Sequence, residues 1–281
     1  MQEALREEIQ LCKSLTSEPF AVNLTLLPAL APPNYEEYAI VVEEEKIPCV
    51  ETAGHFNGLA PFVERFKAAG IFVIHKCVAV RHAKSAARLG VDMISMDGFE
   101  CAGHPGERDT GNWLLLAMAA KQLEIPFVAS GGCATGEQLA AALAIGAEGI
   151  NMGTRFMATQ ECPIHPNIKQ ALVDGDELST TLVMRSVGNT ERVFKNAAAE
   201  EVLRIEAADP GNFQAFAHLV KGDNYKRSFQ ETGNTNDSVW SAGPVMALID
   251  DVPTCEVLLD DIVTTAEGII KGRLADMVAD E

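Results

Sequence analysis

The amino-acid sequence predicts an α/β fold of the (β/α)8-barrel type, in which parallel strands alternate with helices along the chain. Three observations support this prediction. Short apolar segments recur along the first half of the chain, segments with helical periodicity separate them, and several of those helices end in a glycine directly before the next strand. The length of 281 residues is enough for one barrel-sized domain.

Six segments are predicted strands because each is a continuous apolar run and not an alternation of apolar and polar residues. Parallel strands that helices cover on both faces have this composition. The predicted strands are Phe20–Leu26, Cys49–Gly54, Ile71–Cys77, Met93–Gly98, Pro126–Gly132 and Gly149–Phe156.

The segments between the strands have the periodicity of amphipathic helices. Apolar residues at helical spacing follow the second predicted strand, namely Leu59, Phe62, Val63 and Phe66. Thr135 and Gln138 form a capping-box pattern before an alanine-rich helix. Gly70, Gly90 and Gly146 each stand where a helix gives way to a strand, as glycines after a helix C-terminus commonly do.

The spacing of the strands favours a barrel over a doubly wound sheet, which remains the alternative. Strand starts lie about 22 to 33 residues apart. A barrel with six strands would leave two exposed parallel edges, which proteins avoid. Because a helix at Met1–Leu15 runs directly into a strand, we expect a TIM-type (β/α)8 barrel that lacks its first two strands and whose missing strands precede this sequence.

The second half of the chain has a different pattern. We expect residues 1–157 to form the partial barrel, which would bind a cofactor, and residues 158–281 to form a helical domain that packs on it. The predicted elements of this domain are a polar helical stretch without a clear strand at Ala158–His218, a loop at Gly222–Asn236, and helices at Trp240–Asp250 and Cys255–Met277.

The composition argues against several classes of protein. Lys and Arg number 22 and Asp and Glu 40, and the resulting net charge of −18 disfavours binding to nucleic acid or to anionic lipid. The seven cysteines include no CxxC pair, so we expect free thiols in a reducing compartment, the cytoplasm. No signal-peptide pattern or membrane-spanning apolar run is present. Glu43–Glu45 is expected to be a solvated helix face.

Two glycine-containing strand ends could bind a phosphate. Ser130-Gly131-Gly132 ends the fifth predicted strand, and Gly153-Thr154 lies at the end of the sixth. Consecutive glycines before a capped helix can point backbone N–H groups at a phosphate, and the alternative is a tight turn without a ligand. Because barrels of this type commonly bind phosphate after their last two strands, we favour the phosphate site.

A glycine-rich loop, Asp97–Gly106, follows the fourth predicted strand and carries His104. The glycines would allow the backbone to approach a flat ligand, and an imidazole on a loop suits proton abstraction or hydrogen bonding. The alternative is a loop histidine that caps a helix. A metal site built from Cys101 and His104 has no second cluster of ligands, so we expect no metal.

Two other strand ends carry polar side chains. Lys76 is costly to bury unless it meets an anion, and the alternative is a lysine whose ammonium reaches solvent. Asn23 and Thr25 share one face of the first strand and either face a ligand or hydrogen bond to the neighbouring strand. His75 points the other way from Lys76 and is expected to be structural, and the loop Pro28–Pro33 could act as a lid.

Taken together, these motifs resemble the nitronate monooxygenase family, formerly called 2-nitropropane dioxygenases, and in particular its bacterial NADH:quinone reductase branch. The resemblance extends from the first residues to about Met277. The strings that carry it are Asn23-Leu-Thr25, His75-Lys-Cys77, Asp97-Gly-Phe-Glu-Cys-Ala-Gly-His104-Pro-Gly106, Ala129-Ser-Gly-Gly132, Asn151-Met-Gly-Thr-Arg155, Glu161-Cys-Pro-Ile-His-Pro166, Met184-Arg-Ser186 and Trp240-Ser-Ala-Gly243.

The resemblance implies a TIM barrel with a helical domain and a non-covalently bound FMN, with NADH or NADPH as an electron donor in one branch. His104 would face the substrate as a base or hydrogen-bond donor, and Lys76 would lie near the flavin ring. The other cofactor-binding residues that it implies are Asn23, Thr25, Asp97, Ala102, Gly103, Ser130, Gly131, Gly132, Met152, Gly153 and Thr154.

The sequence departs from the family at its start, where the Gly-Gly-Met loop has no counterpart, and at Leu30, where the quinone reductase branch has glutamine. We expect a flavoprotein that oxidises nitronates with oxygen. The alternatives are an NAD(P)H:quinone reductase on the same FMN site and a truncated barrel remnant without activity, and an enoyl-thioester reductase is a weaker one. The substrate would be a small molecule, a nitronate or a quinone, and a homodimer could cover the open strand edges.

Overall fold

The fold is known from a computed structural model that describes residues 2–26, 33–54 and 56–278. Within them, six strands form one sheet in which the strands follow chain order, and the paired neighbours run parallel. The strands are β1 (Ala21–Leu26), β2 (Cys49–Gly54), β3 (Phe72–Cys77), β4 (Met93–Asp97), β5 (Phe127–Ser130) and β6 (Ile150–Asn151). The α/β class and the six strands of the predicted barrel are confirmed. Leu30 and most of the loop Pro28–Pro33 lie outside the described residues.

Helices alternate with these strands as predicted. The α-helices are α1 (Gln2–Leu15), α2 (Tyr35–Glu44), α3 (Phe56–Ala68), α4 (Val80–Leu89), α5 (Asn112–Gln122), α6 (Gly136–Ile145), α7 (Thr154–Met157), α8 (Pro166–Val173), α9 (Ala197–Ala208), α10 (Phe213–Phe216), α11 (Gly222–Lys226) and α12 (Cys255–Gly268). Helices α4 and α6 end at Gly90 and Gly146 in the left-handed conformation, and Thr135 and Gln138 form the expected capping box. None of the described helices is both long and apolar enough to cross a lipid bilayer.

The chain forms two compact units. The N-terminal unit comprises Met1–Met96 and Lys121–Phe127, and the C-terminal unit comprises Asp97–Ala120 and Val128–Glu281. The division at residue 157 that the sequence suggests stays a prediction about domain organisation.

Strand β1 of the N-terminal unit alternates in burial, although a continuous apolar strand was expected to be covered on both faces. Val22 and Leu24 are buried, whereas Asn23 and Thr25 are exposed. This alternation explains why polar residues are tolerated at every second position of β1.

The expectation that Glu43–Glu45 forms a solvated face is wrong for Glu45. Its side chain is buried and pairs with Arg6 at 2.6 Å and with Lys13 at 2.8 Å, both from α1. Glu43 in turn binds Arg65 of α3 at 2.6 Å. A run of like charges in a sequence suggests a helix face exposed to solvent. Here the cations that neutralise the run come from helices elsewhere in the chain, so the local sequence does not reveal them.

Strand β6 is shorter than predicted, since the strand expected to reach Phe156 ends at Asn151. The chain turns at Gly153 and begins the short helix α7 at Thr154. The buried hydroxyl oxygen of Thr154 accepts a hydrogen bond from the backbone N–H of Gly243 at 3.0 Å. This tertiary contact stabilises the turn, and the apolar sequence of the segment gives no sign of it.

The prediction that Ala158–His218 contains no strand is also wrong. Strands β7 (Thr180–Val183) and β8 (Glu191–Phe194) form an antiparallel hairpin. Each is only four residues long and is rich in Thr, Glu and Arg, so neither has the apolar run or clear alternation by which strands are usually identified.

Two other segments of the C-terminal unit differ from expectation. The predicted loop Gly222–Asn236 contains α11 and a π-helix at Arg227–Thr232, because Phe229 is buried and packs edge-on against Trp240 with ring centroids 5.5 Å apart. The predicted helix Trp240–Asp250 is instead a β-bridge at Ser241 followed by a 3-10 helix at Pro244–Leu248. The helical character of Cys255–Met277 is confirmed, with α12 continuing as π- and 3-10-helical turns.

Candidate functional site

The glycine turn after β5 requires glycine at two consecutive positions. Gly131 has φ 81° and Gly132 has φ 76°, both in the left-handed region. A Cβ atom on Gly131 would lie 2.8 Å from Cβ of Cys101, and one on Gly132 would lie 2.9 Å from Cβ of Glu100. The turn is therefore packed directly against the loop that follows β4.

Side chains hold the carbonyl groups of this turn. The Nδ2 amide of Asn112 donates to the carbonyl oxygens of Ser130 at 3.0 Å and of Gly131 at 2.6 Å, and Nε2 of Gln138 donates to Gly132 at 2.5 Å. The backbone N–H groups of Gly131 and Gly132 donate to no other residue in the described part of the chain. Those N–H groups are consequently available to an anion.

Asn112 also carries a polar atom without a partner. Its Oδ1 is buried and accepts no hydrogen bond from any described residue, while its backbone N–H donates to the carboxylate of Glu100 at 2.9 Å. The two carbonyl acceptors fix which side of the amide is the NH2 group, so the unsatisfied atom is an acceptor. A hydroxyl or N–H donor of a bound molecule would satisfy it.

The second phosphate-site loop leaves the neighbouring strand. Ser130 pairs with Asn151 across β5 and β6, so the two loops begin side by side. Gly153 is exposed, and a Cβ there would meet no atom within 4 Å, which leaves open space in front of it. Met152 is half-buried. Arg155, the last residue of this motif, is buried and binds Asp251 at 2.5 Å, which makes it a structural anchor.

The loop that carries His104 lies against the glycine turn. The N–H of Gly98 donates to the carbonyl oxygen of Ser130 at 3.1 Å, and Gly103 exchanges two backbone hydrogen bonds with Arg192. The His104 side chain is exposed. Asp97 and Ala102 of the same loop are half-buried.

Cys133, which lies near this loop, is unsuited to nucleophilic chemistry. Cys133 is buried, and burial, aided by the negative charges of Glu100 and Asp97, raises its pKa to about 12. The seven cysteines are free, and the described residues contain no group of three His, Cys, Asp or Glu side chains that could hold a metal ion.

The polar residues of the N-terminal unit join across three strands. Asn23 Nδ2 donates to Glu51 at 2.7 Å, Thr25 Oγ1 donates to Asn23 Oδ1 at 2.6 Å, and the Lys76 ammonium lies 3.7 Å from Glu51. Glu51 thus supplies the negative charge that Lys76 was expected to need. Sequence reasoning missed Glu51, although its position on the neighbouring strand directly opposite Asn23 makes the contact predictable once the register is known.

His75 is a structural residue, as predicted. It is buried, and its Nδ1 lies 2.9 Å from the hydroxyl of Thr52. Burial lowers its pKa to about 4, so the imidazole is neutral at physiological pH.

In the C-terminal unit, the structure brings together the glycine turn, Gly153 with Thr154, and the loop that carries His104. Asn112, which holds the turn, was missed because nothing in its local sequence distinguishes it from any residue at the start of a helix. Paired N–H groups, open space at Gly153 and an unsatisfied acceptor nearby fit a phosphate-bearing molecule with hydroxyl groups, such as FMN.

Comparisons with known proteins identify the family. The model of the family described as nitronate monooxygenase matches residues 2–265. The chain is 32% identical to (3aS,4S,5R,7aS)-5-hydroxy-7a-methyl-1-oxo-octahydro-1H-indene-4-carboxyl-CoA dehydrogenase of Rhodococcus jostii, over 93% of this chain and 82% of the relative. It is 27% identical to the nitronate monooxygenase of Paraburkholderia phytofirmans, over 71% of this chain and 56% of that protein.

A solved structure is similar over nearly the whole chain. FabK from Thermotoga maritima superposes with a TM-score of 0.89 and 27% sequence identity, and the similarity covers 99% of this chain and 85% of FabK.

Proposed function

Because the chain belongs to the nitronate monooxygenase family, we propose that it is an FMN-dependent oxidoreductase whose cofactor phosphate binds at the Gly131–Gly132 turn. The observation that carries the proposal is the geometry of this turn. Asn112 and Gln138 hold its carbonyl groups, and the N–H groups of both glycines are left for an anion. Backbone N–H groups arranged in this way bind phosphate without needing a cation.

Other residues of the C-terminal unit complete the proposed cofactor site. Gly153 faces open space, so a phosphate could approach its backbone closely. Thr154 anchors the turn that contains Gly153. The unsatisfied Oδ1 of Asn112 would accept a hydrogen bond from a ribityl hydroxyl group. The other proposed cofactor contacts belong to the same loops and are Ser130, Met152, Asp97, Ala102 and Gly103.

For Asn23, Thr25 and Lys76 of the N-terminal unit, the proposed role as contacts to the flavin ring rests on the resemblance to the family alone. Hydrogen bonds link Thr25 to Asn23 and Asn23 to Glu51, and Glu51 forms an ion pair with Lys76, so these side chains have partners before any ligand binds. The ammonium of Lys76 would stabilise negative charge on the ring. Bound FMN would supply two-electron redox chemistry at this site.

His104 is the proposed acid–base residue. It is exposed on a loop that hydrogen bonds hold in place, so its imidazole can reach a substrate. A neutral imidazole can accept the α-proton of a nitroalkane to form the nitronate, or it can donate a hydrogen bond to a substrate oxygen.

Nitronate oxidation, with oxygen as the final electron acceptor, is the first candidate reaction. A second candidate is redox chemistry on an acyl-CoA thioester, because the relative named as a CoA-thioester dehydrogenase shares 32% identity over 93% of this chain. The nitronate monooxygenase of Paraburkholderia phytofirmans shares 27% over 71%. Oxidation of NADH or NADPH with a quinone acceptor is the third candidate.

The first experiment tests FMN binding by the purified chain. We expect a yellow protein after addition of FMN and loss of that colour in Gly132→Ala, because a Cβ at Gly132 strains the turn and meets Glu100. Gly149→Ala is the matched control, since a Cβ there meets no atom within 4 Å. Equal binding by both variants would place the phosphate elsewhere, and a chain that stays colourless with FMN would favour the inactive remnant.

The second experiment identifies the electron donor. The FMN-loaded protein is mixed without oxygen with a nitronate, with NADH or NADPH, and with a saturated acyl-CoA thioester, and the flavin absorbance is followed. Bleaching by nitronate alone supports the monooxygenase, bleaching by a nicotinamide supports the quinone reductase, and bleaching by the thioester supports the dehydrogenase. His104→Gln should slow the productive reaction at unchanged flavin content, and wild-type rates in that variant would remove His104 from the proposal.

A homodimer is part of the proposal. Strand β1 pairs only with β2 among the described residues, and a second copy would cover this edge. Analytical ultracentrifugation tests this assembly, and a stable monomer at micromolar concentration contradicts it.

A further inference from the structure

The hairpin β7–β8 binds the backbone of the His104 loop immediately before the histidine. The N–H of Gly103 donates to the carbonyl oxygen of Arg192 at 3.0 Å, and the N–H of Arg192 donates to Gly103 at 2.6 Å. This pair of bonds is an isolated antiparallel bridge. The residue that precedes His104 therefore has its backbone fixed to a strand.

The same hairpin holds the loop after the histidine. The carboxylate of Glu107 accepts hydrogen bonds from the backbone N–H of Thr190 at 2.8 Å and from its hydroxyl at 2.5 Å. Asp109 forms an ion pair with Arg185, which lies in the turn of the hairpin. The loop is thus held on both sides of an exposed imidazole.

The side chain of Arg192 also binds the start of the same loop. Its Nε and Nη2 donate to the carbonyl oxygen of Phe99 at 3.2 Å and 3.0 Å, and Nη1 donates to the Thr180 hydroxyl at 3.2 Å. The guanidinium carbon lies 4.6 Å from the centre of the Phe99 ring. One residue of the hairpin consequently binds the loop at Phe99 through its side chain and at Gly103 through its backbone.

Arg192 is an unusual residue to use for packing alone. Its side chain is 8% exposed, and it forms no ion pair with any carboxylate of the described residues. Burial lowers its pKa, although the guanidinium stays charged. The carboxylates of Glu100 and Asp109 attract this charge without forming an ion pair with it, so burial of the cation still has a desolvation cost that an apolar side chain would not have.

We infer that Arg192 is a positioning residue that sets the place of the His104 imidazole by fixing the loop at Phe99 and Gly103. The inference rests on the proposed function, since it assigns a purpose to the position of His104. Arg192 would act only through the loop and not through contact with cofactor or substrate. Misplacing a reacting group by about 1 Å can cost about 100-fold in rate, so a loosened loop should lower turnover while leaving the binding of FMN intact.

The test compares Arg192→Met, Arg192→Lys and His104→Gln in the full FMN-loaded chain. In Arg192→Met we expect kcat per bound flavin to fall about 10- to 100-fold, with flavin content and KM within about twofold of wild type. Arg192→Lys keeps the charge and one donor, so it should recover part of kcat. Arg204→Met is the control, because Arg204 is an exposed residue of α9 that binds only Glu201.

A second readout does not depend on turnover. Hydrogen exchange of the backbone amides from Phe99 to His104 should be about tenfold faster in Arg192→Met than in Arg204→Met, because a loop that has lost the guanidinium bonds to Phe99 opens more often, even though the backbone bridge at Gly103 can still form. Faster exchange throughout the protein would instead indicate general destabilisation and would overturn the inference.

The outcomes separate the inference from the proposed function. Wild-type kcat and wild-type exchange in Arg192→Met, together with an inactive His104→Gln, would overturn the inference and leave the function standing. Wild-type kcat in His104→Gln would remove the catalytic role of the histidine, and the inference would fall with it. Reduced kcat in both Arg192→Met and His104→Gln, with faster exchange confined to the loop in Arg192→Met, supports both the inference and the proposed function.

Discussion

Asn112 shows how one residue can organise a site without belonging to a recognisable motif. Its side-chain NH2 group holds two carbonyl oxygens of the glycine turn, and its backbone N–H holds the carboxylate of Glu100. Asn112 therefore links the loop after β4 to the turn after β5. The remaining Oδ1 is the one buried side-chain polar atom without a partner in the described residues.

Asn112→Asp should weaken FMN binding at least tenfold and lower the free energy of unfolding by about 2 kcal/mol. The substitution replaces the donor with an acceptor that faces two carbonyl oxygens, and an unsatisfied buried group costs about 1 to 3 kcal/mol. Flavin fluorescence titration and urea unfolding measure the two effects. Asn167→Asp, at an exposed position in the first turn of α8, introduces the same charge and should weaken neither FMN binding nor the fold, because a carboxylate near a helix N-terminus is favourable; a similar loss there would indicate a general charge effect.

His75 makes stability depend on pH in a defined window. Its pKa is lowered from 6.5 to about 4 by burial, so the folded protein favours the neutral imidazole. The contribution of His75 to stability is complete above the unfolded pKa and is lost as the pH falls from 6.5 towards 4. Between pH 7 and pH 5 the loss should be about 2 kcal/mol.

Urea unfolding at the two pH values measures this effect. His75→Gln removes the ionisable group and should have a smaller loss of stability between pH 7 and pH 5 than wild type. His218→Gln, at an exposed position, should retain the wild-type loss. Equal losses in all three proteins would mean that His75 titrates normally in the folded state.

At the scale of elements, helix α1 is held by a charge cluster on one face. Arg6, Gln10 and Lys13 follow one another at helical spacing, and all three bind the buried carboxylate of Glu45. Ile9 is the buried apolar residue of α1. The position of α1 therefore depends strongly on Glu45.

Glu45→Gln should release α1 more readily than Glu44→Gln. Lys13 and Arg6 lower the pKa of Glu45, so its ion pairs stabilise the protein above the usual pKa range of glutamate and are lost as the pH falls through the lowered value. We expect a lower urea midpoint for Glu45→Gln than for wild type at pH 7. The difference between the two midpoints should become smaller below pH 4.5. Glu44 is more exposed and binds only Arg6, so an equal effect in both variants would contradict the role of Glu45.

At the scale of the whole molecule, the net charge of −18 opposes the approach of an anionic cofactor. The proposed phosphate site consists of backbone N–H groups, which attract an anion only at short range. Long-range repulsion should therefore slow the association of FMN at low salt.

The association rate of FMN should rise severalfold as ionic strength increases from about 0.01 M to 0.15 M, because the Debye length falls from about 30 Å to about 8 Å. Riboflavin lacks the phosphate and is the matched control, for which little change is expected. Stopped-flow measurement of flavin fluorescence follows both reactions. A rate for FMN that falls with salt would show that local positive charge near the site outweighs the net charge.

The amino-acid pattern alone was sufficient for the α/β class, the six strands, the glycine-terminated helices and the structural role of His75. Each of these follows from local rules, because buried strands need apolar side chains and helix ends need particular backbone angles. The two-glycine turn at Gly131 and Gly132 was also predictable, since few other sequences adopt two consecutive left-handed residues.

Tertiary structure decided which polar residues meet. Residues from 8 to 93 positions apart in the chain meet in the hairpin β7–β8, in the contacts of Arg192 with Phe99 and Gly103, in the hydrogen bonds of Asn112 and in the ion pairs of Glu45. Short polar strands have no distinctive periodicity, and a charged residue has the same local sequence whether its partner is water or a distant side chain. Only packing brings such groups together and removes the water that would otherwise satisfy them.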